Sequence, residues 1–365
     1  MKWNQYGEIV GVNNAIRKYL NKEVYHEPNP IVLDWLNENQ FKHIVVLLID
    51  ALGSSIIKKH CNPNGFFSSN TKAELTTVFP PTTSAATTSL RTGRYPNENA
   101  WLGWNEYFKE KDDNIILFMN KSQYKDCYYN DFSSAALPVP FLDETENCTS
   151  IWPSWSKLNP SKDYPDLLNN ILDFIPNHEY IYAYYDALDT FMHKYGTSCS
   201  KTKEFVLQLE KETEEFAHKL PKDTGLILLA DHSQIDVKID YLDNYTELTE
   251  AFAHLPALEP RTIAFYIKED RKEDFVKVFN HLFGNDFVLY TKKDVLEQNI
   301  FGSYPNHPRF KEFIGDYLAI STSDLSLSYK TNKSHTKKVG GDHAGGLDEE
   351  AIIPLILWKN NFSAY

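Results

Sequence analysis

The stretch His43-Ile44-Val45-Val46-Leu47-Leu48-Ile49-Asp50 joins an unbroken run of aliphatic residues to an aspartate. A half-exposed strand alternates apolar and polar residues, whereas an uninterrupted run is typical of a central parallel strand that is covered on both faces. Three later segments have the same character, namely residues 180–185, 225–230 and 351–358. The sequence therefore predicts several buried strands of one sheet.

Helical patterns separate these predicted strands. They cover residues 51–60, residues 84–92 and approximately residues 200–219. Strands that alternate with helices predict an α/β fold, in which a doubly wound, mostly parallel sheet carries helices on both faces.

A different pattern occupies residues 237–312. It contains a predicted strand at 261–267 and a predicted amphipathic helix at 274–283. We therefore expect a small α+β cap at 237–312, inserted into a core that is made of residues 1–236 and 313–365.

The net charge of the chain limits its partners. The 365 residues include 37 basic and 50 acidic ones, and the resulting charge of −13 argues against docking on nucleic-acid polymers or anionic membranes. A small phosphorylated substrate stays compatible with this charge, because bound metal ions can invert the potential locally.

Targeting signals are not evident in the sequence. The N-terminus lacks a secretion signal, and no apolar stretch approaches the roughly 20 residues that span a bilayer. The four cysteines show no C-x-x-C spacing, which favours reduced thiols. We therefore expect a cytoplasmic protein, although a secreted protein whose signal has been removed would have the same features.

Acidic and imidazole side chains follow three of the predicted strands. Asp50 ends the first strand, and Asp231 and His232 come directly after a later one. Asp189 and His193 are four residues apart, so a helix would place both on one face, where they could bind one cation. The carboxyl ends of such strands meet at one edge of the sheet, and these groups could converge there. A helix N-cap, a surface ion pair and an exposed turn are the alternatives.

A further histidine lies in the glycine-rich segment Gly340-Gly341-Asp342-His343-Ala344-Gly345-Gly346. Glycines let the backbone bend sharply and could deliver the imidazole to a site, although a plain flexible loop is the alternative. Three aspartates and three histidines then form a balanced set of ligands for two zinc-like ions.

A candidate nucleophile lies in the segment Pro80-Pro81-Thr82-Thr83-Ser84, which predicts the start of a helix. A hydroxyl group there lies beside unpaired backbone N–H groups, where an anion would bind. Coordination to a dication would turn a threonine hydroxyl into a nucleophile. The alternative is that these hydroxyl groups only cap the helix.

With these residues the chain resembles the alkaline phosphatase superfamily, and most closely its type I phosphodiesterase/nucleotide pyrophosphatase branch. The resemblance covers approximately residues 44–233 and 340–358 and includes five motifs in the family's order. It implies an alkaline-phosphatase-like core and a hydrolase that cleaves phosphoric esters with two divalent metal ions of the Zn²⁺ type. It also implies a small phosphorylated substrate, either a nucleotide or a phosphodiester.

The resemblance also implies a role for individual residues. The residues it assigns to one metal, together with the nucleophile, are Asp50, Asp231 and His232. The residues it assigns to the other metal are Asp189, His193 and His343. The family's spacing between the nucleophile and a Thr-Gly pair, here Thr92-Gly93, selects Thr83, which would form a phospho-enzyme intermediate.

The chain departs from the family pattern after the nucleophile. Asn99-Ala100 replaces a frequent His-Gly pair, and Trp104 follows Gly103 where the family usually has an asparagine that holds the substrate phosphate. Asn105, one residue later, is therefore the candidate substrate-binding residue.

Several functions fit these residues. A phosphodiesterase or nucleotide pyrophosphatase is the first hypothesis, and the alternatives are a phosphomonoesterase, a phosphomutase or phosphonate enzyme, and a metal-binding scaffold without catalysis. Four nearby aromatic residues could stack on a nucleobase or simply pack in the core. They are Trp101, Trp104, Tyr107 and Phe108.

Overall fold

A computed structural model describes residues 5–329 and 340–361 of the chain. Within these ranges the protein forms two sheets of seven strands each and two small two-stranded ladders. Within the described ranges, every helix is too short or too polar to span a bilayer. The four cysteines are free thiols.

The strands are numbered in chain order, and each is bounded by its first and last residue. They are β1 (His43–Ile49), β2 (Thr71–Thr76), β3 (Asn105–Phe108), β4 (Asp113–Ile116), β5 (Lys121–Ser122), β6 (Cys148–Pro153), β7 (Pro160–Ser161), β8 (Tyr180–Tyr185), β9 (Thr224–Leu229), β10 (Ile235–Asp236), β11 (Lys238–Tyr241), β12 (Phe252–Leu258), β13 (Thr262–Ile267), β14 (Phe287–Thr291), β15 (Tyr317–Ser321), β16 (Leu325–Ser328), β17 (Gly341–Asp342) and β18 (Ile352–Lys359).

The helices alternate with these strands. They are α1 (Glu8–Tyr19), α2 (Pro30–Asn39), α3 (Ser54–His60), α4 (Phe66–Asn70), α5 (Thr83–Thr92), α6 (Pro96–Asn99), α7 (Phe132–Ala136), α8 (Tyr164–Phe174), α9 (Ala187–Tyr195), α10 (Ser200–Ala217), α11 (Thr246–Thr249), α12 (Lys272–Phe283), α13 (Lys292–Glu297), α14 (Phe310–Phe313) and α15 (Asp348–Ala351).

The central sheet has the strand order β2-β18-β9-β1-β8-β6-β7. Strand β1 lies in its middle and runs parallel to both β8 and β9, while β18 runs antiparallel to its two neighbours, β9 and β2. Leu48 lies opposite Tyr184 on one side and Leu229 on the other, so the three strands end at the same edge. The predicted mostly parallel α/β sheet is confirmed, and the residues that follow these strands are neighbours in space.

The predicted helix at residues 51–60 begins later than expected, at Ser54. Ala51 has a left-handed backbone with a φ of 61°, which prevents the helix from starting directly after β1. The residues between β1 and α3 therefore form a tight turn at the edge of the sheet.

The second sheet has the order β14-β15-β13-β12-β3-β4-β5. It contains the strand and helix predicted within residues 237–312, but it also includes β3, β4 and β5 before this range and β15 after it. The sheet is therefore built from more of the chain than the predicted cap. Strand β3 joins it through the pair Asn105 and Leu258, a contact across 153 residues that no local pattern reveals.

Candidate active site

Helix α5 begins at the candidate nucleophile Thr83, whose side chain is nearly buried. The preceding residue, Thr82, has an extended backbone and occupies the N-cap position, yet its hydroxyl does not cap the helix. It donates instead to Glu259 Oε1 at 2.5 Å. The N–H groups of the first helical turn are thus left without a side-chain cap, which favours an anion at this position.

A first group of ligand atoms surrounds the Thr83 hydroxyl. His232 Nε2 lies 3.1 Å from Thr83 Oγ1, 3.3 Å from Asp50 Oδ1 and 3.6 Å from Asp231 Oδ2. Ligands around a tetrahedral zinc ion with bonds near 2.0 Å lie about 3.3 Å apart. Each of these three distances from His232 Nε2 is therefore close to the spacing of two ligands on one cation.

Two oxygens of this group are buried and lack partners. Asp50 Oδ1 and Asp231 Oδ2 have no hydrogen bond to any described residue. Their companion oxygens are occupied, because the Tyr184 hydroxyl donates to Asp50 Oδ2 and the Ala51 N–H donates to Asp231 Oδ1 at 3.1 Å. A buried acceptor without a donor is costly, and a cation between the two free oxygens would remove that cost.

A second group lies beside the first. Asp189 and His193 share one face of α9, with Oδ2 3.4 Å from His193 Nε2. His343 Nε2 lies 3.8 Å from Asp189 Oδ1. Gln234 donates to the same Oδ1 at 2.5 Å and so fixes the carboxylate.

The three histidines share one hydrogen-bonding arrangement. Each places Nδ1 near a backbone carbonyl oxygen, and the distances are 2.9 Å from His193 to Gly341, 3.1 Å from His232 to Ser233 and 3.1 Å from His343 to Pro81. A neutral imidazole that donates from Nδ1 keeps Nε2 as an acceptor, which is the form that binds a metal. In all three residues Nε2 lies within 3.8 Å of a carboxylate oxygen of Asp50 or Asp189.

The two groups adjoin each other. The rings of His232 and His343 stack with their centroids 3.8 Å apart. Ligand atoms of Asp189, His232 and His343 all lie within 4.8 Å of one another. The site can therefore hold two neighbouring cations, with the Thr83 hydroxyl against one of them.

The pKa values in the site reflect its crowded buried charges. Burial raises the pKa of Asp50 well above its usual value, and the charge of Asp231 raises it further. Burial likewise raises the pKa of Asp231. Burial lowers the pKa of His343 well below its usual value, and nearby imidazoles contribute to the decrease. A divalent cation binds neutral histidines and ionised carboxylates, and its charge would compensate that of the carboxylates in this site.

The loop that carries His343 is pressed against α9. The Gly340 N–H donates to the His193 carbonyl at 2.7 Å, and a Cβ at residue 340 would lie 2.1 Å from the Gly196 nitrogen. Only glycine allows this approach, which brings His343 to Asp189. The glycine-rich segment is thus required for close packing and is not a plain flexible loop.

Asn105, the predicted substrate-binding residue, has partners within the second sheet. Its Nδ2 donates to the Leu258 carbonyl at 3.0 Å, and its Oδ1 accepts from Asn114 Nδ2 at 3.2 Å. The nitrogen and the oxygen of the Asn105 amide both form hydrogen bonds between strands. Asn105 would therefore have to give up these hydrogen bonds in order to bind a phosphate.

The four aromatic residues that could stack on a base have different positions. Phe108 is fully buried, with Phe132 and Phe313 packed against its ring. Trp101 lines a cavity of about 350 Å³. Core packing therefore accounts for Phe108, while Trp101 can contact a ligand.

Sequence reasoning missed three residues of the site. Gln234 comes two residues after His232, and that proximity was the available signal. Tyr184 precedes the end of β8 in a segment that indicates only a strand. Glu259 lies in the turn between β12 and β13, remote in sequence from every other site residue, and has no local signal.

A threonine begins a helix between two groups of Asp and His side chains, at the carboxyl edge of a mostly parallel sheet. This arrangement places the protein in the alkaline phosphatase superfamily. The family model for type I phosphodiesterase/nucleotide pyrophosphatase matches residues 44–345. The chain therefore belongs to the type I phosphodiesterase/nucleotide pyrophosphatase family and is a hydrolase. No curated protein sequence matches it.

Solved structures agree with this fold. The chain is similar to murine ectonucleotide pyrophosphatase/phosphodiesterase 5, with a TM-score of 0.65, 15% identity and coverage of 87% of this chain and 90% of the other. An inactive form of the murine protein, in which alanine replaces a threonine, was solved in complex with AMP and gives a TM-score of 0.66 at 15% identity, covering 87% and 88% of the two chains. Phosphonoacetate hydrolase from Sinorhizobium meliloti gives 0.60 at 11% identity, covering 87% and 90%.

Proposed function

We propose that the chain is a two-metal phosphodiesterase or nucleotide pyrophosphatase that acts through a covalent intermediate on Thr83. One observation carries the proposal. The imidazole Nε2 atoms and unpartnered carboxylate oxygens converge beside a threonine hydroxyl at a helix start. The description of the murine relative supports it, because a form of that protein with threonine replaced by alanine is called inactive.

The residues that would hold the cations follow from the two groups. One cation would be held by Asp50, Asp231 and His232 together with the Thr83 hydroxyl, and the other by Asp189, His193 and His343. Mixed nitrogen and oxygen ligands favour Zn²⁺. When bound, such ions neutralise the charge that develops on phosphoryl transfer and lower the pKa of coordinated oxygens.

The chain's own groups perform the chemistry in two displacements. Thr83 Oγ1 attacks phosphorus, a new Oγ1–P bond forms, and the bond from phosphorus to the leaving oxygen breaks. Asp50 Oδ2, which lies 3.4 Å from the hydroxyl, is placed to hold its proton. The proton held at Asp50 passes to the leaving oxygen. The oxygen of a water molecule then bonds to the same phosphorus while the Oγ1–P bond breaks, and one proton of that water passes to Oγ1, which restores the threonine and releases the product. The N–H groups at the start of α5 would bind the non-bridging phosphate oxygens.

A cavity that would take the organic part of the substrate is connected to this site through two aromatic rings. The cavity of about 350 Å³ is lined by aromatic side chains that include Trp101, Phe118 and Trp152. The Trp152 ring packs 5.4 Å from the Tyr184 ring, whose hydroxyl donates to Asp50. Flat aromatic walls favour a nucleobase or another planar group, and the relative in complex with AMP supports a nucleotide.

Turnover of two chromogenic esters tests the proposal. The zinc-loaded protein should hydrolyse bis(p-nitrophenyl) phosphate faster than p-nitrophenyl phosphate. Thr83→Ala should abolish turnover, whereas Thr87→Ala removes a hydroxyl from the same helix and should retain it. A clear monoester preference would indicate the monoesterase alternative. Near-normal turnover by Thr83→Ala would refute the assignment of the nucleophile.

A further inference from the structure

The second sheet contains a cavity of about 330 Å³ that is separate from the active site. Its walls come from β3, β4, the start of β12 and the segments around Tyr124 and Tyr329. The other end of β12 leads to Glu259, which accepts the Thr82 hydroxyl beside the nucleophile. At about 3.3 Å per residue, the seven residues of β12 put roughly 20 Å between that contact and the cavity. The cavity therefore needs a ligand of its own.

An irregular stretch of β12 forms one wall of the cavity. The register between β12 and β13 shifts on both sides of His254, as it does at β-bulges, which redirect the neighbouring side chains. The Pro256 carbonyl in this stretch accepts hydrogen bonds from Asn114 Nδ2 and from the Tyr124 hydroxyl, both at 2.8 Å. Asn114 and Tyr124 also line the cavity, so its own residues hold the irregular backbone in place.

Aromatic residues contribute much of the lining. The rings of Tyr124 and Tyr329 are nearly perpendicular, at 82°, with their centroids 6.0 Å apart. The Tyr107 ring stacks on the imidazole of His254 at 4.2 Å, and Phe252 lines the cavity as well. The faces of tyrosine and phenylalanine rings attract cations within about 6 Å, and quaternary ammonium groups are recognised in this way.

The charged groups of the lining leave one carboxylate for a ligand. Lys125 Nζ lies 3.5 Å from Asp113 Oδ1 and donates to the Asp112 carbonyl at 2.9 Å, so its charge is compensated. Asp112 Oδ1 accepts the Tyr107 hydroxyl at 2.9 Å and lies 3.4 Å from His254 Nδ1. Its Oδ2 has no hydrogen bond to a described residue, and the side chain is 78% exposed. The cavity therefore favours a positively charged ligand.

The lining favours an organic cation over a metal ion. Protein sites for divalent metal ions need several ligand atoms around one point. Among the described residues, every group of three or more potential metal ligands lies in the active site. An organic ammonium group needs fewer polar partners, because its carbon atoms can contact aromatic rings.

We propose that this cavity binds a small organic cation, whose ammonium group contacts the rings of Tyr107, Tyr124 and Tyr329 and is paired with the Asp112 carboxylate. The ligand class is an alkylammonium or quaternary ammonium compound. The proposal does not depend on phosphate ester hydrolysis, because the cavity shares no residue with the two groups of metal ligands.

Binding of choline to the zinc-loaded protein, measured by calorimetry at neutral pH, tests the proposal. Choline should bind with a Kd of roughly 1 mM, as expected for so small a ligand. Its neutral isostere, in which carbon replaces the charged nitrogen, should bind at least about 5-fold more weakly. Tyr329→Leu should weaken choline binding by roughly 3- to 10-fold, because it removes one aromatic wall.

Asp112→Asn and a matched control separate the cavity from the overall charge of the protein. Asp112 has a left-handed backbone with a φ of 45°, which asparagine tolerates, so Asp112→Asn removes the charge and keeps the turn. Asp131 is also exposed, has the same φ of 45° and lies outside the cavity. Asp112→Asn should weaken choline binding roughly 5-fold, whereas Asp131→Asn should leave it unchanged.

The inference is overturned if choline does not saturate the protein at concentrations roughly 20-fold above the expected Kd. Equal binding of the neutral isostere, or equal affinities of Asp112→Asn and Asp131→Asn, would also overturn it. If Tyr329→Leu does not melt cooperatively, the comparison of the two asparagine variants decides alone. A protein that hydrolyses no phosphate ester would refute the proposed function and would leave this binding test intact.

Discussion

Replacement of Glu350 by glutamine should destabilise the whole molecule, because this residue and Arg261 form an ion pair with no exposed side-chain surface. Arg261 Nε and Nη2 donate to the two carboxylate oxygens at 2.8 and 2.9 Å. Arg261 immediately precedes strand β13 of the second sheet, and Glu350 lies in α15 next to the central sheet. The ion pair therefore stabilises the packing of the two sheets against each other.

The loss is large because Glu350→Gln leaves a buried guanidinium without its counter-charge. Breaking a buried ion pair in this way costs about 3–5 kcal/mol. With an unfolding entropy of roughly 2.1 cal/mol/K per residue, a chain of this length should lose about 4–7 °C in Tm. Glu350 Oε1 also accepts the Gly345 N–H at 2.7 Å, so the loop that carries His343 should become looser.

Differential scanning calorimetry at pH 7 measures this change. The exposed pair of Lys238 and Asp324 provides the control, and Lys238→Met should shift Tm by about 1 °C or less. A Tm for Glu350→Gln within about 1 °C of wild type would refute the reasoning that the buried pair holds the sheets together.

Two further predictions concern the second sheet. Burial raises the pKa of Glu106 well above its usual value, so the folded protein retains a proton that the unfolded protein releases. The free energy of unfolding therefore falls as the pH rises above the pKa of Glu106 in the unfolded protein, which is about 4.3. Glu106→Gln should therefore stabilise the protein more at pH 8 than at pH 5 in thermal denaturation, and an equal shift at both pH values would contradict this. Asn105→Ala should cost about 1–3 kcal/mol, because it leaves the buried Leu258 carbonyl without its donor. Chemical denaturation measures that loss, and an unchanged KM in the folded variant would remove Asn105 from the substrate site.

The central sheet could be predicted because its strands have an unambiguous local signal. Residues 44–49 are aliphatic without interruption and form β1, which is buried on both faces. Asp50 and Asp231 follow β1 and β9, which are neighbouring parallel strands. Their predicted proximity is a consequence of this strand geometry. The spacing of Asp189 and His193 likewise places both on one face of α9.

The second sheet and part of the site could not be predicted in this way. Strands β3 to β5 join β12 through long-range pairing, and the hydrophobic pattern of a short strand does not identify its partner. Glu259 enters the site because that pairing brings the β12–β13 turn to Thr82. Asn105 was assigned by its position after Gly103, whereas its amide is engaged with Leu258 and Asn114.

The metal content of purified protein tests the central claim most directly. After zinc loading and gel filtration, elemental analysis should find two ions per chain in the wild type. Asp231→Asn and His193→Ala should each retain one ion, since each removes a ligand from a different group. Thr83→Ala should retain both. A wild-type chain that binds one ion or none, or loss of both ions in either ligand variant together with a native Tm, would contradict the two-cation site around Thr83.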